Sequence, residues 1–141
     1  MDLDPYDLQR FINAQAPVMP LVEAELSTGR KSSHWMWFVF PQMRGLGQSA
    51  MADRYGIASL DEARAYLAHP LLGVRLRHCC SLVLTAQGGR AHDIFGSPDD
   101  RKFRSSLTLF SRTAPPEPVF GDCLRKYYNG VEDPATLSLL K

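Results

Sequence analysis

The stretch Trp35 to Phe40 reads WMWFVF, an unbroken apolar run fenced by Ser32 and Ser33 on one side and by Pro41 and Gln42 on the other. Aromatic and β-branched residues favour a strand by local propensity. A strand needs a partner for its backbone, and no other stretch of the chain reads as one. The nearest, Ser81 to Ala86, continues a helical stripe. The run is therefore expected as a short helix, apolar on every side, capped by Ser32 or Ser33 and ended before Pro41. Such a helix must be enclosed by others. The expected fold is all-α: a compact multihelical single domain over residues 1–141, of about seven to nine helices, with a buried aromatic helix at its centre.

Proline and cap placement supports this. Asp4-Pro5, Ser97-Pro98 and Asp133-Pro134 each set a capping oxygen before a proline that suits the first helical position. Leu8, Phe11 and Ile12 follow the first, and Leu137 and Leu140 the third, at helical spacing. A helix beginning between Pro17 and Pro20 is expected to turn Val18, Leu21, Val22 and Leu26 inward and to stop at Gly29. Ser59 and Glu62 read as a capping box. From Pro70, the stripe Leu72, Leu76, Cys79, Cys80 and Val83 runs to the pair Gly88-Gly89. His69, at a helix end, suits the negative pole of the helix dipole. A short turn covers Asp93 to Phe95. After Ser97-Pro98, two carboxylates and the series Phe103, Leu107 and Phe110 specify a further helix, and another runs from Pro118 to Tyr128, stopped by Asn129-Gly130.

Composition narrows the function. Sixteen basic residues against fifteen acidic leave a net charge of +1 over 141 residues, so nucleic acid is an unlikely partner. No segment has the ~20 apolar residues of a membrane span, and the acidic start argues for a cytoplasmic protein. Cys79, Cys80 and Cys123 show neither a disulfide framework nor zinc-ligand spacing. His78 is followed by two cysteines and His92 by Asp93, which is not H-E-x-x-H. No metal or cofactor is implied, and the partner of most interest is a small anionic or nucleotide-like ligand.

Two constellations carry candidate chemistry. Arg30, Lys31, Ser33 and His34 lead into the central run, and Gln42 and Arg44 follow it. Exposed backbone N–H groups and cations there suit a phosphate, and Trp37 offers a ring on which a base can stack. Asp99, Lys102, Ser105 and Ser106 lie on the helix after Ser97 and can supply a second wall. His34 or Asp99 is the candidate acid or base for hydrolytic or glycosidic cleavage. Each feature also has a plainer reading: a solvated basic turn, core aromatics, and acids that complement a helix dipole. On the ligand reading, replacing Arg30 and Lys31 together with alanine is expected to leave the melting midpoint nearly unchanged and to abolish binding of an anionic ligand. The competing function is a non-catalytic module whose exposed aromatics dock a protein partner.

The motifs "SHWMWFVFPQMRGLGQS", "RYGIASLDEARAYLAHPLLGVRL", "IFGSPDDRKFRSSLTLFSRTAP" and "DPATLSLL" occur in this order. Together they resemble the bacterial and fungal family known as domain of unknown function 1810, over roughly Asp7 to Leu140. The resemblance implies a multihelical single domain and assigns no catalytic residue. Members are sometimes labelled calpastatins; calpastatin inhibitory regions are long, polar and disordered, unlike this hydrophobic pattern. Leu107 stands where relatives tend to carry methionine, a change that keeps core volume.

Overall fold

In the computed structural model, residues 3–87, 89–113 and 117–140 are described. They form ten helices: α1 (Gln9–Gln15), α2 (Met19–Ser27), α3 (Met36–Val39), α4 (Ala50–Tyr55), α5 (Leu60–Ala68), α6 (Leu72–Leu84), α7 (Ala91–Phe95), α8 (Asp99–Ser111), α9 (Pro118–Tyr128) and α10 (Pro134–Leu139). No strand occurs among the described residues, where pairing is limited to one parallel bridge between Met43 and Ile57. The all-α reading holds. The helix absent from the sequence reading is α4, a six-residue element capped by the Ser49 hydroxyl, which accepts from Ala52 N at 3.0 Å. No helix is long and apolar enough to cross a membrane among the described residues.

The long helices α6 and α8 organise the rest. Helix α6 packs on α2, α5 and α9, while α8 packs on α5, α7, α9 and α10. The predicted stripe on α6 is wholly internal, from Leu72 to Val83, as are Phe103, Leu107 and Phe110 of α8. Leu21 departs from the reading. It is 47% exposed because α2 turns only Met19, Val22, Glu25 and Leu26 to the core.

Several caps differ in detail. Asp4 caps α1 from a distance, its carboxylate accepting from Leu8 N at 2.8 Å and Gln9 N at 3.0 Å, so the helix begins well after Pro5. Half of the capping box forms: Ser59 Oγ accepts from Glu62 N, but Glu62 turns to Ala58 N and to Arg10. His69 is structural in another way than expected. Its Nδ1 accepts from Leu71 N and Leu72 N and so caps the start of α6. Ser97 forms no cap; the Ser97-Pro98 peptide is cis and α8 begins at Asp99. Of the pair Gly88-Gly89, Gly88 lies outside the described residues.

The central run is buried as expected, but only Met36 to Val39 is helical. Trp35, Met36, Phe38, Val39 and Phe40 are all internal, and Trp37 is half-buried. Phe40 meets Phe103 edge-on at 4.9 Å, and Phe103 stacks on Phe95 at 4.6 Å. Such ring pairs add about 0.5–1.5 kcal/mol each beyond area burial. They fix the end of α3 against α7 and α8, which places the run beside the start of α8.

Candidate functional site

The turn before α3 is held from below by one carboxylate. Glu25 lies on the inward face of α2, one turn after Val22, and is buried. Its Oε1 accepts from Ser32 N at 2.8 Å, Ser33 N at 3.0 Å and the Trp35 indole Nε1 at 3.1 Å, while Oε2 accepts from Ser33 Oγ at 2.6 Å. Burial alone would raise its pKa. The Ser33 hydroxyl, the two backbone donors and the indole outweigh that and hold the carboxyl down at about 2. Ser33 is thus committed to Glu25 and is neither an N-cap of α3 nor a free ligand group. Trp35 occupies the cap position of α3 without a side-chain cap bond.

Above this anchor, Lys31 reaches the start of α8. Its Nζ lies 2.7 Å from Asp99 Oδ2, donates to Ser33 O at 2.5 Å, and sits 4.9 Å from the Trp35 ring centre. The side chain is only 5% exposed, so it is an interior ion pair and no solvated cation. The other oxygen of Asp99 lies 3.7 Å from Lys102 Nζ, which covers the Trp37 ring at 5.0 Å. A cavity of about 270 Å³ opens here, lined by Lys31, His34, Met36, Trp37, Ser97, Pro98, Asp99 and Lys102. Against one carboxylate it presents two ammonium groups. The Trp37 indole Nε1 is the buried side-chain polar atom without a hydrogen-bond partner among the described residues. A buried N–H left unpaired costs about 1–3 kcal/mol.

The fold therefore brings together five of the residues expected to act: Lys31, His34, Trp37, Asp99 and Lys102. It separates the others. Arg30 is exposed and engages the fold through its backbone N–H, which donates to Glu25 O at 3.0 Å. Gln42 and Arg44 lie beyond the far end of α3; Gln42 O accepts from Ile57 N, and Arg44 lines a different hollow. Ser105 and Ser106 are internal because their face of α8 packs inward; Ser105 Oγ lies 3.1 Å from both Arg101 O and Asp133 Oδ2.

The match to known proteins covers nearly the whole chain. A family model described as "Protein of unknown function (DUF1810)" matches residues 5–140. The chain belongs to the DUF1810 family. This DUF1810 chain is similar to a crystal structure of the conserved hypothetical protein Rv1873 from Mycobacterium tuberculosis, with 57% identity and a TM-score of 0.96. The likeness spans 97% of this chain and 98% of that one. No curated protein matches.

Reading the DUF1810 sequence alone missed Met36, Ser97 and Pro98 as cavity walls and Glu25 as the anchor. A signal for Glu25 was present. Val22, Glu25 and Leu26 share one helical face, and an acid among inward apolar residues must meet donors.

Proposed function

We propose that the cavity beside the central aromatic run binds a small phosphorylated or nucleotide-like ligand through its anionic group. The observation that carries this reading is the pair of ammonium groups of Lys31 and Lys102 set against the single Asp99 carboxylate in one cavity. Two ammonium groups against one carboxylate favour an anion, whose oxygens can accept from both. At about 270 Å³ the cavity fits the charged end of such a ligand, since pockets for whole drug-sized molecules span about 300–1,000 Å³. Lys102 already lies over the Trp37 ring, so that face is taken and a base is left outside.

Hydrolytic or glycosidic chemistry at the same place would use His34 or Asp99 as acid or base. His34 is the better supported of the two, because its exposed imidazole has no hydrogen bond among the described residues while Asp99 is engaged by Lys31. The competing picture, a module docking a partner through aromatics of the run, is less favoured. The large exposed hydrophobics, among them Leu21, Val74 and Val131, lie elsewhere.

A thermal-shift screen against nucleotides, sugar phosphates and ADP-ribose-like compounds tests the proposal. A ligand at a hundred times its dissociation constant stabilises by ~2.7 kcal/mol, a shift of several degrees for a domain of this size. The expected result is stabilisation by phosphorylated compounds that Lys102→Ala diminishes. No shift with any of them, or a shift that Lys102→Ala leaves intact, overturns it.

A further inference from the structure

A second hollow, of about 510 Å³, is lined by Tyr6, Asp7, Arg10, Arg44, Arg54 and Glu62 among others, and shares no residue with the lysine cavity. Its three arginines differ sharply in their engagement. Arg10 is fully used: Nε donates to Arg54 O at 2.9 Å, Nη1 to Tyr6 O and Asp7 O, and Nη2 to Gly56 O and Glu62 Oε2. Glu62 is used as well, its other oxygen accepting from Ala58 N. Arg10 and Glu62 therefore build the floor and neutralise each other.

Arg44 and Arg54 have no such partners. Neither is ion-paired among the described residues. Arg44 Nη2 makes one long contact, 3.4 Å to Gly56 O, and the Arg54 guanidinium lies 5.6 Å from the Tyr55 ring centre. Both are exposed.

The segments carrying them are fixed to each other. Arg44 N donates to Ile57 O and Ile57 N donates to Gln42 O, each at 2.9 Å, closing the bridge between Met43 and Ile57. Gly56 permits the approach, since a Cβ there would lie 2.7 Å from Arg44 Cα. The backbone carrying both guanidiniums is thus joined, while most of their donors stay open. Guanidinium donors match the oxygens of a phosphate in pairs, and with Asp7 offsetting one of the two charges the hollow still keeps a net positive charge that favours an anion.

We propose that Arg44 and Arg54 form a second anion site, separate from the lysine cavity, which takes the phosphate group of a small phosphorylated molecule. The site stands on its own geometry and does not depend on what the lysine cavity binds.

The test is an NMR titration of the full chain, labelled with ¹⁵N, with inorganic phosphate and with phenyl phosphate at constant ionic strength. The Nε–Hε signals of Arg44 and Arg54 report this site, and the Trp37 indole reports the other. Saturable shifts of both arginine signals are expected. In each single variant, Arg44→Gln or Arg54→Gln, the remaining arginine signal should lose its saturable response with an unchanged melting midpoint, and both shifts should persist in Lys102→Ala. Arginine signals that stay still, that drift without saturation, that respond equally to chloride, or that are silenced by Lys102→Ala overturn the proposal.

Discussion

Replacing Glu25 with glutamine preserves shape and removes one charge. Four donors converge on this carboxylate, and they hold its pKa at about 2 against an ordinary 4.5 despite burial that works the other way. The folded-state pKa is depressed, so the stabilisation is fully present above the unfolded value and is lost as pH falls towards the folded one. At ~1.4 kcal/mol per pH unit, the carboxylate contributes about 3 kcal/mol at neutral pH, and by linkage about 1.4 kcal/mol remains near pH 3. Urea unfolding of wild type and Glu25→Gln at matched pH measures the difference. The comparison is needed because other carboxyls are held low too, Asp93 chiefly by the Arg90 backbone N–H and Glu132 chiefly by the Arg112 side chain. The expected gap is about 2–3 kcal/mol at neutral pH, allowing for acceptor capacity kept by the amide, and it narrows steadily below about pH 4.5. A gap that is the same at neutral and acid pH would refute the idea that charge on Glu25 secures the turn.

Two further outcomes follow from the packing. Lys31→Ala strands Asp99 without its close partner and should cost about 2–4 kcal/mol in urea unfolding, whereas Arg30→Ala, whose side chain is exposed, should stay within about 0.5 kcal/mol; equal effects would mean the interior ion pair is misassigned. Burial pushes the Cys79 thiol up to about 12 and the Cys80 thiol well above its ordinary range. Native protein should therefore resist a thiol reagent at pH 8, with Cys79, Cys80 and Cys123 reacting together only on unfolding; rapid labelling of the folded chain would contradict their burial.

Much of the fold was legible because helix ends and faces are local properties. The stripe on α6, the face of α8, the stop at Asn129 and the start at Asp133-Pro134 all follow from residues within a few turns of one another. Helix α4 escaped because its six residues carry little periodicity and its cap, Ser49, stands among glycines. Leu21 was misread because Val22 and Leu26 define the inward face of α2 and Leu21 falls beside it. Five members of the lysine cavity could be named from residue type and position. Their grouping could not, since it depends on how the turn before α3 meets the first turn of α8.

The sequence by itself determined an all-α domain and the burial of its aromatic run, because backbone pairing and apolar periodicity are decided over short stretches of chain. Tertiary packing alone decided that Lys31 is an interior partner of Asp99 while Arg30 beside it is solvated, that Ser33 and Ser105 are structural, and that Arg44 belongs with Arg54 and not with Trp37. The reason is physical. A polar side chain's role is set by whichever donor, acceptor or charge reaches it across the fold, and those partners lie up to tens of residues away, as Asp99 does from Lys31.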